Sequence, residues 1–225
     1  MSNTLSSFPV PIFSLKKSER NIREAISRIS TGINVLGGND AARHALGTTL
    51  KADGKSFEAA SSSIENSLSL LSLVEEALFE LNSLATRLKE TGNQASLSTN
   101  TSEDTAALNA EAVNISDTID SIVSSLTYNG VNVLGTSSRT YNVAINDAGN
   151  TQTIQPTTGI AATDINDATN SNNSMDTTIG EITQSLGAVA GSLASLKSYQ
   201  TVSTTTAAHL TQAAANLQDT DYAEE

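Results

Sequence analysis

The amino-acid sequence predicts a mainly α fold, a long antiparallel helical rod or coiled-coil bundle with a small β-hairpin. Three stretches of the chain repeat their apolar residues every seven positions for longer than ordinary globular helices do. A short, turn-rich insert separates the last two of these stretches. Only 4% of the 225 residues are aromatic and none is Trp, so the core must consist of Leu, Ile, Val and Ala, which suits thin helical bundles.

A further helix is predicted near the start of the chain, after Pro9 and Pro11. Its heptad positions are apolar and charged residues lie between them: Ile12, Leu15, Ile22, Ile26, Ile29, Ile33 and Leu36. Gly37 and Gly38 interrupt this helix. Its apolar stripe has no obvious partner helix at the other end of the chain.

The charge of the chain is distributed unevenly. The first 55 residues hold eight of the 12 Lys and Arg residues against four acidic ones, so this part is +4 and the remainder is −16. The acidic residues 56–225 would repel the phosphates of a nucleic acid, and no aromatic residues are interleaved to stack on its bases. Both observations argue against a nucleic-acid-binding protein. No window approaches the roughly 20 apolar residues of a membrane span, so we expect no membrane insertion. The short apolar run at residues 8–13 precedes the basic residues, the reverse of a secretory signal.

The second helix, capped by Asn39 or Asp40, contains the longest heptad seam. The members of the seam are Phe57, Ala60, Ile64, Leu71, Val74, Leu78, Leu81, Ala85 and Leu88, with Ser67 as the one polar member. A side stripe lies beside it and consists of Leu70, Leu73, Ala77 and Leu84. Because the two together are wider than a two-helix seam needs, we expect this helix to touch more than one neighbour.

Two more helices and the insert complete the prediction. Residues 96–104 form a polar connection, and Thr101 or Ser102 caps a third helix that ends before Tyr128, Asn129 and Gly130. Beyond them, the alternation of Val131, Val133, Tyr141, Val143 and Ile145, a turn at residues 147–150, and then Thr151, Thr153 and Pro156 predict one β-hairpin. Residues 159–177 are predicted to be a surface loop. The last helix runs from Ile179 to Leu217 and weakens near Gln200 and Ser203.

The residue pattern does not indicate a catalytic or metal-binding site. The chain has no Cys, which excludes disulfides and thiolate sites. His44 and His209 lack any metal-ligand spacing around them, and the Ser and Thr residues have no paired His and acidic residue to activate them. We therefore expect no enzyme, no catalytic residue, no metal and no cofactor. Clusters at residues 61–63 and 204–206 could carry glycans, although polar helix faces explain them better.

Several segments together resemble one known family. The first segment comprises Ile26, Arg28, Ile29, Ser30, Thr31, Gly32, Asn39, Asp40, Ala41 and Ala42. The middle comprises Glu75, Ala77, Leu78, Glu80, Leu81, Asn82, Arg87 and Glu90, and later Tyr128, Asn129, Gly130, Val131, Val133 and Leu134. The end comprises Leu186, Gly187, Ala188, Val189, Asp219, Asp221, Tyr222 and Ala223. In this order they cover nearly the whole chain and resemble the bacterial flagellins.

The resemblance implies a structural subunit that polymerises into the extracellular filament of the bacterial flagellum for motility. Residues 1–36 would be the N-terminal helix of the filament's inner core, 37–127 a rod with two long helices, 128–178 the hairpin and surface loop, and 179–225 the C-terminal rod helix. The implied partners are other flagellin subunits, the flagellar export apparatus, an export chaperone and the filament cap. The alternative is a hook–filament junction protein or a cell-surface adhesin or adaptor of the same architecture. Similar proteins continue into a terminal helix, so the sequence is expected to be truncated or to build its core differently.

Two groups of contact residues follow from this resemblance. The candidate subunit contacts are Leu70, Leu73, Ala77, Leu84, Ile22, Ile26, Ile29 and Ile33, of which the first four serve equally well as internal bundle core. In flagellins that the animal Toll-like receptor senses, an arginine, a leucine and a glutamate contribute, and Arg87, Thr91 and Glu111 stand at those positions here. Thr91 supplies less apolar area than leucine, so weakened recognition is expected, and an exposed ion pair explains Arg87 and Glu111 equally well.

Overall fold

The fold is mainly α, as the sequence predicts. The computed structural model describes residues 9–34, 41–135, 140–155, 168 and 171–220. Its helices are α1 (Pro9–Thr31), α2 (Ala41–Ala95), α3 (Ser102–Ser125) and α4 (Ser171–Gln218). Its strands are β1 (Thr127–Tyr128), β2 (Val131–Asn132), β3 (Tyr141–Ala144) and β4 (Thr151–Ile154).

The chain divides into two compact units. The larger, which we call the three-helix unit, comprises Ala59–Ser203 and contains α3, all four strands and parts of α2 and α4. The smaller, which we call the terminal unit, comprises Met1–Glu58 and Thr204–Glu225 and contains α1 with the start of α2 and the end of α4. Each long helix thus contributes to both units.

In the three-helix unit α2 runs antiparallel to both α3 and α4, so α3 and α4 run parallel to each other. Between α2 and α4, Lys89 pairs with Asp176, and Gln200 Nε2 donates to Glu65 Oε1 over 3.2 Å. The C-terminal end of α2 therefore lies beside the N-terminal end of α4. The predicted seam of α2 is buried from Ala60 to Leu88: Ala60, Ile64, Leu71, Val74, Leu78, Leu81, Ala85 and Leu88 are all at most 3% exposed. This confirms the heptad prediction, since all of these side chains except Ala60 belong to one continuous apolar core.

A capping box begins α3 at the predicted N-cap, Thr101. The Thr101 side chain accepts from Asp104 N over 3.1 Å, and Asp104 Oδ2 accepts in return from Thr101 N over 3.1 Å. Thr101 Oγ1 also donates to Asp104 Oδ2 over 2.7 Å. These bonds satisfy donors that the first helical turn leaves open and favour the carboxylate form, so the pKa of Asp104 is lowered.

The insert contains the predicted hairpin and, before it, a second short strand pair that the sequence did not predict. β1 and β2 pair antiparallel around Asn129 and Gly130, whose φ angles of 51° and 75° suit the tight two-residue turn. Val131 belongs to this short pair and not, as predicted, to the hairpin of β3 and β4. β3 and β4 form the longer ladder, from Tyr141 opposite Ile154 to Ala144 opposite Thr151. The predicted turn at residues 147–150 connects them, and Pro156 lies outside the described residues.

Side-chain hydrogen bonds attach the insert to the helices, among them those of Asn132, of Ser203 and of Tyr128, whose hydroxyl donates to the Asn66 carbonyl oxygen over 3.4 Å. Asn132 donates from Nδ2 to the carbonyl oxygens of Val123 and Ser124 over 2.7 and 2.8 Å, and its Oδ1 accepts from the amides of Leu134 and Gly135 over 3.0 and 2.6 Å. It therefore satisfies carbonyls in the last turn of α3 and fixes the chain that leaves β2.

The second attachment lies where the heptad of α4 weakens. Ser203 is buried, and its Oγ donates to the carbonyl oxygen of Ile145 over 3.0 Å, just after β3. The polar residue that interrupts the apolar stripe of α4 therefore has a structural partner in the insert.

The last helix begins earlier than predicted. α4 starts at Ser171, so the loop prediction is wrong for residues 171–177. Met175 and Thr178 are buried in this first part of the helix, which packs against the core although its sequence is mostly polar. The remainder of the predicted loop, except Ala168, lies outside the described residues. The amide of Ala168 donates to Asn109 Oδ1 of α3 over 3.0 Å.

In the terminal unit, α1 ends at Thr31 instead of continuing through Ile33 to Leu36. Gly32 adopts a φ of 69°, a conformation that glycine tolerates and that ends helices. Ile33 is then extended and forms an antiparallel bridge with Asp219. Leu36, Gly37, Gly38, Asn39 and Asp40 lie outside the described residues. The start of α2 packs closely on the end of α4 at Gly54, which has no Cβ. A Cβ at this position would lie 3.0 Å from Thr211 Oγ1.

Candidate contact surfaces

An exposed apolar stripe runs along α1. Ile26 is 61% exposed and Ile29 45%, and Ile12, Leu15 and Ile22 are exposed as well. Helical spacing places these residues on one side, and Lys16, Lys17, Arg20 and Arg23 occupy the adjoining part of the helix surface. Ile33 is also exposed but lies beyond the helix, in the bridge with Asp219, so it does not continue the helical stripe.

The predicted side stripe of α2 divides into buried and exposed members. Leu70 is 3% exposed and belongs to the core, so it offers no surface to another subunit. Ala77 and Leu84 are half-buried and pack against the same core. Leu73 is 37% exposed. The core that these α2 residues join includes residues of both α3 and α4, so the wider apolar face of α2 packs against two helices.

One exposed aromatic residue on α2 was not among the predicted contacts. Phe79 is 59% exposed, the largest exposed fraction among the large apolar side chains described in α2. The helical repeat places Phe79 and Leu73 at two edges of the exposed face, with Glu76 and Glu80 between them. In the sequence, Phe79 is a large apolar residue outside the heptad positions, and this is the signal that could have predicted its exposure.

The predicted receptor residues form a polar cluster on α2 and α3. Glu111 Oε1 accepts from Arg87 Nε over 3.0 Å and from Arg87 Nη2 over 2.7 Å, and Glu90 lies 3.7 Å from Arg87 Nη1. The hydrogen bond with Glu111 raises the pKa of Arg87. Thr91 is 1% exposed and donates to the Arg87 carbonyl oxygen over 3.0 Å. A buried hydroxyl presents no surface to a partner, which agrees with weakened recognition, and the receptor contacts at Arg87, Thr91 and Glu111 stay a prediction.

Groups that could perform chemistry do not converge among the described residues. No three His, Cys, Asp or Glu side chains of the described part lie close enough to hold a metal ion. His44 and His209 are both exposed. In the same part of the chain, no helix has the length and apolar character needed to cross a membrane. The features that stand out are thus surfaces with exposed apolar residues.

Comparison with known proteins identifies the family. The family of the bacterial flagellin N-terminal helical region matches residues 12–139. A flagellin of Halalkalibacterium halodurans is 28% identical over 206 residues, which cover 87% of this chain and 74% of the relative. Flagellin 1 of Proteus mirabilis is 31% identical over 121 residues, which cover 53% of this chain and 33% of the relative. A flagellin of Clostridium tyrobutyricum is 30% identical over 113 residues, covering 50% and 30% of the two chains.

The relatives thus differ in how much of their length this chain spans, from about three quarters to less than a third. Among solved structures, the crystal structure of Bacillus cereus flagellin is similar, with a TM-score of 0.44, 24% identity, and coverage of 68% of this chain and 91% of that one. The family match extends over α1, α2 and α3 and into the insert, more than half of the sequence. The chain therefore belongs to the bacterial flagellins, the structural subunits of the flagellar filament.

Proposed function

We propose that this flagellin polymerises with copies of itself into an extracellular filament that drives motility, and that α1 and the exposed face of α2 make the contacts. The observation that carries the proposal is the apolar stripe of α1, where Ile22, Ile26 and Ile29 remain about half exposed. Burying a whole isoleucine side chain contributes about 1.5–3 kcal/mol, so covering the exposed part of each would contribute about 1 kcal/mol. Repeated head-to-tail contacts of this kind do not close on themselves, and they generate helical filaments.

The contact role of α1 is tested with a charge-matched pair of substitutions. Ile26→Asp places a carboxylate in the stripe, whereas Asn21→Asp adds the same charge at an exposed position beside it. We expect Ile26→Asp to slow elongation of sheared filament seeds at least tenfold while far-UV circular dichroism stays unchanged. Asn21→Asp should elongate like the wild type. If Ile26→Asp also elongates normally, α1 makes no subunit contact.

Two stripe positions of α2, Leu73 and Leu84, separate assembly from folding. Leu73→Asp alters an exposed side chain and is expected to impair elongation without loss of helicity. Leu84→Asp places a charge against the core and should lower the free energy of unfolding by several kcal/mol. Equal loss of helicity in both variants would mean that Leu73 is a core residue instead.

The same elongation assay separates the filament from the alternative functions. If growth stops at a ring of subunits, or if the chain stays monomeric in the presence of seeds, a hook–filament junction protein or an adaptor is favoured.

The family resemblance also supports further partners for this chain. These are the export apparatus, an export chaperone, the filament cap and, for Arg87 and Glu111, the animal Toll-like receptor. Arg87 is half exposed and its side chain is held by Glu111 in a position accessible from outside. Arg87→Ala should reduce the signal in a receptor-reporter assay, and Lys197→Ala, which removes an exposed cation of α4, should not. An undiminished response to Arg87→Ala would exclude the receptor contact.

A further inference from the structure

The end of α4 pairs with the segment that joins α1 to α2. Asn34 N donates to the Gln218 carbonyl oxygen over 2.7 Å, and Thr220 N donates to the Gly32 carbonyl oxygen over 3.1 Å. These two bonds enclose the antiparallel bridge between Ile33 and Asp219. Thr220 is buried, so this short ladder is partly shielded from water. We call residues 32–34 and 218–220 the clasp.

The left-handed backbone of Gly32 makes the clasp possible. Gly32 N still donates to the Arg28 carbonyl oxygen over 2.8 Å, and its φ of 69° turns the chain out of α1 directly into the extended Ile33. A side chain at residue 32 would be strained in this conformation. The direction in which α1 leaves the ladder is therefore defined within one residue of the helix end.

The side chain of Gln218 connects the clasp to the start of α2. Its Nε2 donates to the His44 carbonyl oxygen and to Thr48 Oγ1, both over 3.3 Å. The buried Gly47 makes room for it, because a Cβ there would lie 2.6 Å from Gln218 Cγ and 2.7 Å from Nε2. One residue thus holds the connecting segment with its backbone and the first turns of α2 with its amide.

We infer that the clasp, fixed by Gln218 against Gly47, sets the direction of α1 in the terminal unit and thereby positions α1 for assembly. In this account Gln218 and Gly47 are positioning residues that touch no neighbouring subunit. The inference rests on the proposed contact role of α1, and it adds an internal element on which that role depends. It also assigns the end of α4 a task besides core packing.

Two variants perturb the clasp from opposite sides. Gln218→Ala removes the amide, and Gly47→Ala adds a methyl group that displaces it. Gln212→Ala, which truncates an exposed glutamine of the same helix, is the matched control. In the full chain without seeds, we expect amide hydrogen exchange at Asn34 and Thr220 to become about tenfold faster in both clasp variants and to stay unchanged in the control.

A second readout concerns assembly, and it is separate from the first. If the wild type elongates filament seeds, Gln218→Ala should elongate them more slowly or into filaments of altered helical form. Unchanged exchange at Asn34 and Thr220 in both clasp variants would overturn the clasp itself. Faster exchange with normal filaments would overturn its role in assembly. If the wild type does not elongate seeds, the proposed function fails, and the exchange measurement still decides whether the clasp holds α1.

Discussion

Replacing Asn132 with alanine should destabilise the three-helix unit more than its partly exposed position suggests. The Asn132 amide makes four hydrogen bonds, two to carbonyls at the end of α3 and two from amides beyond β2. A protein hydrogen bond contributes about 1 kcal/mol net, and groups that water can reach recover part of the loss. Leu134 is fully buried, whereas Ser124 is exposed. We therefore expect Asn132→Ala to lower the free energy of unfolding by about 2–3 kcal/mol.

Urea unfolding followed by tyrosine fluorescence measures this loss. Three of the four tyrosines, Tyr128, Tyr141 and Tyr199, lie in the three-helix unit, so the signal reports mainly on it. With a slope of about 2 kcal/mol per molar urea, the midpoint should fall by about 1–1.5 M and the slope should not change. Asn142→Ala is the control, since Asn142 accepts one exposed hydrogen bond, from Thr153 Oγ1 over 2.9 Å. A loss in Asn132→Ala no larger than in Asn142→Ala would refute the reasoning.

Two further predictions concern polar groups of the same unit. Because the pKa of Asp104 is lowered on folding, its contribution to stability is present above the unfolded pKa and is lost as the pH falls through the folded value. Thr101→Ala should therefore raise the Asp104 pKa in an NMR titration and destabilise α3 by about 1 kcal/mol, and an unchanged pKa would contradict the capping box. Tyr141 has a buried hydroxyl with no hydrogen-bond partner among the described residues, so Tyr141→Phe should raise the free energy of unfolding by about 1 kcal/mol in urea titrations. A loss of stability would show that this hydroxyl is bonded.

The sequence predicted those parts of the fold that local rules determine. The heptad seam of α2 and the N-cap at Thr101 depend on spacing and on hydrogen bonds within a few residues, and the structure confirms both. The start of α4 escaped prediction because its first turns are mostly polar and are helical through tertiary packing of Met175. The sequence predicted one hairpin where the structure has two strand pairs, because a single residue such as Val131 does not indicate with which strand it pairs.

The contact surfaces were less predictable for a similar reason. Leu70 and Leu73 are equivalent in an apolar stripe, and only the position of the neighbouring helices makes one buried and the other exposed. Thr91 stands where the resemblance places a receptor-contacting leucine, yet it is buried and bonds to its own helix. The clasp depends on residues far apart in the sequence, 32–34 and 218–220, which share no motif. Pairing of this kind follows from the tertiary fold alone.

Seeded elongation observed by negative-stain electron microscopy tests the central claim most directly. Sheared filaments are mixed with the purified 225-residue chain and, separately, with the same chain extended by the C-terminal helix of a flagellin relative. The proposed function predicts that filaments lengthen in at least one of the two mixtures. If both chains are helical and neither lengthens the seeds, the proposal that this flagellin builds a filament is contradicted.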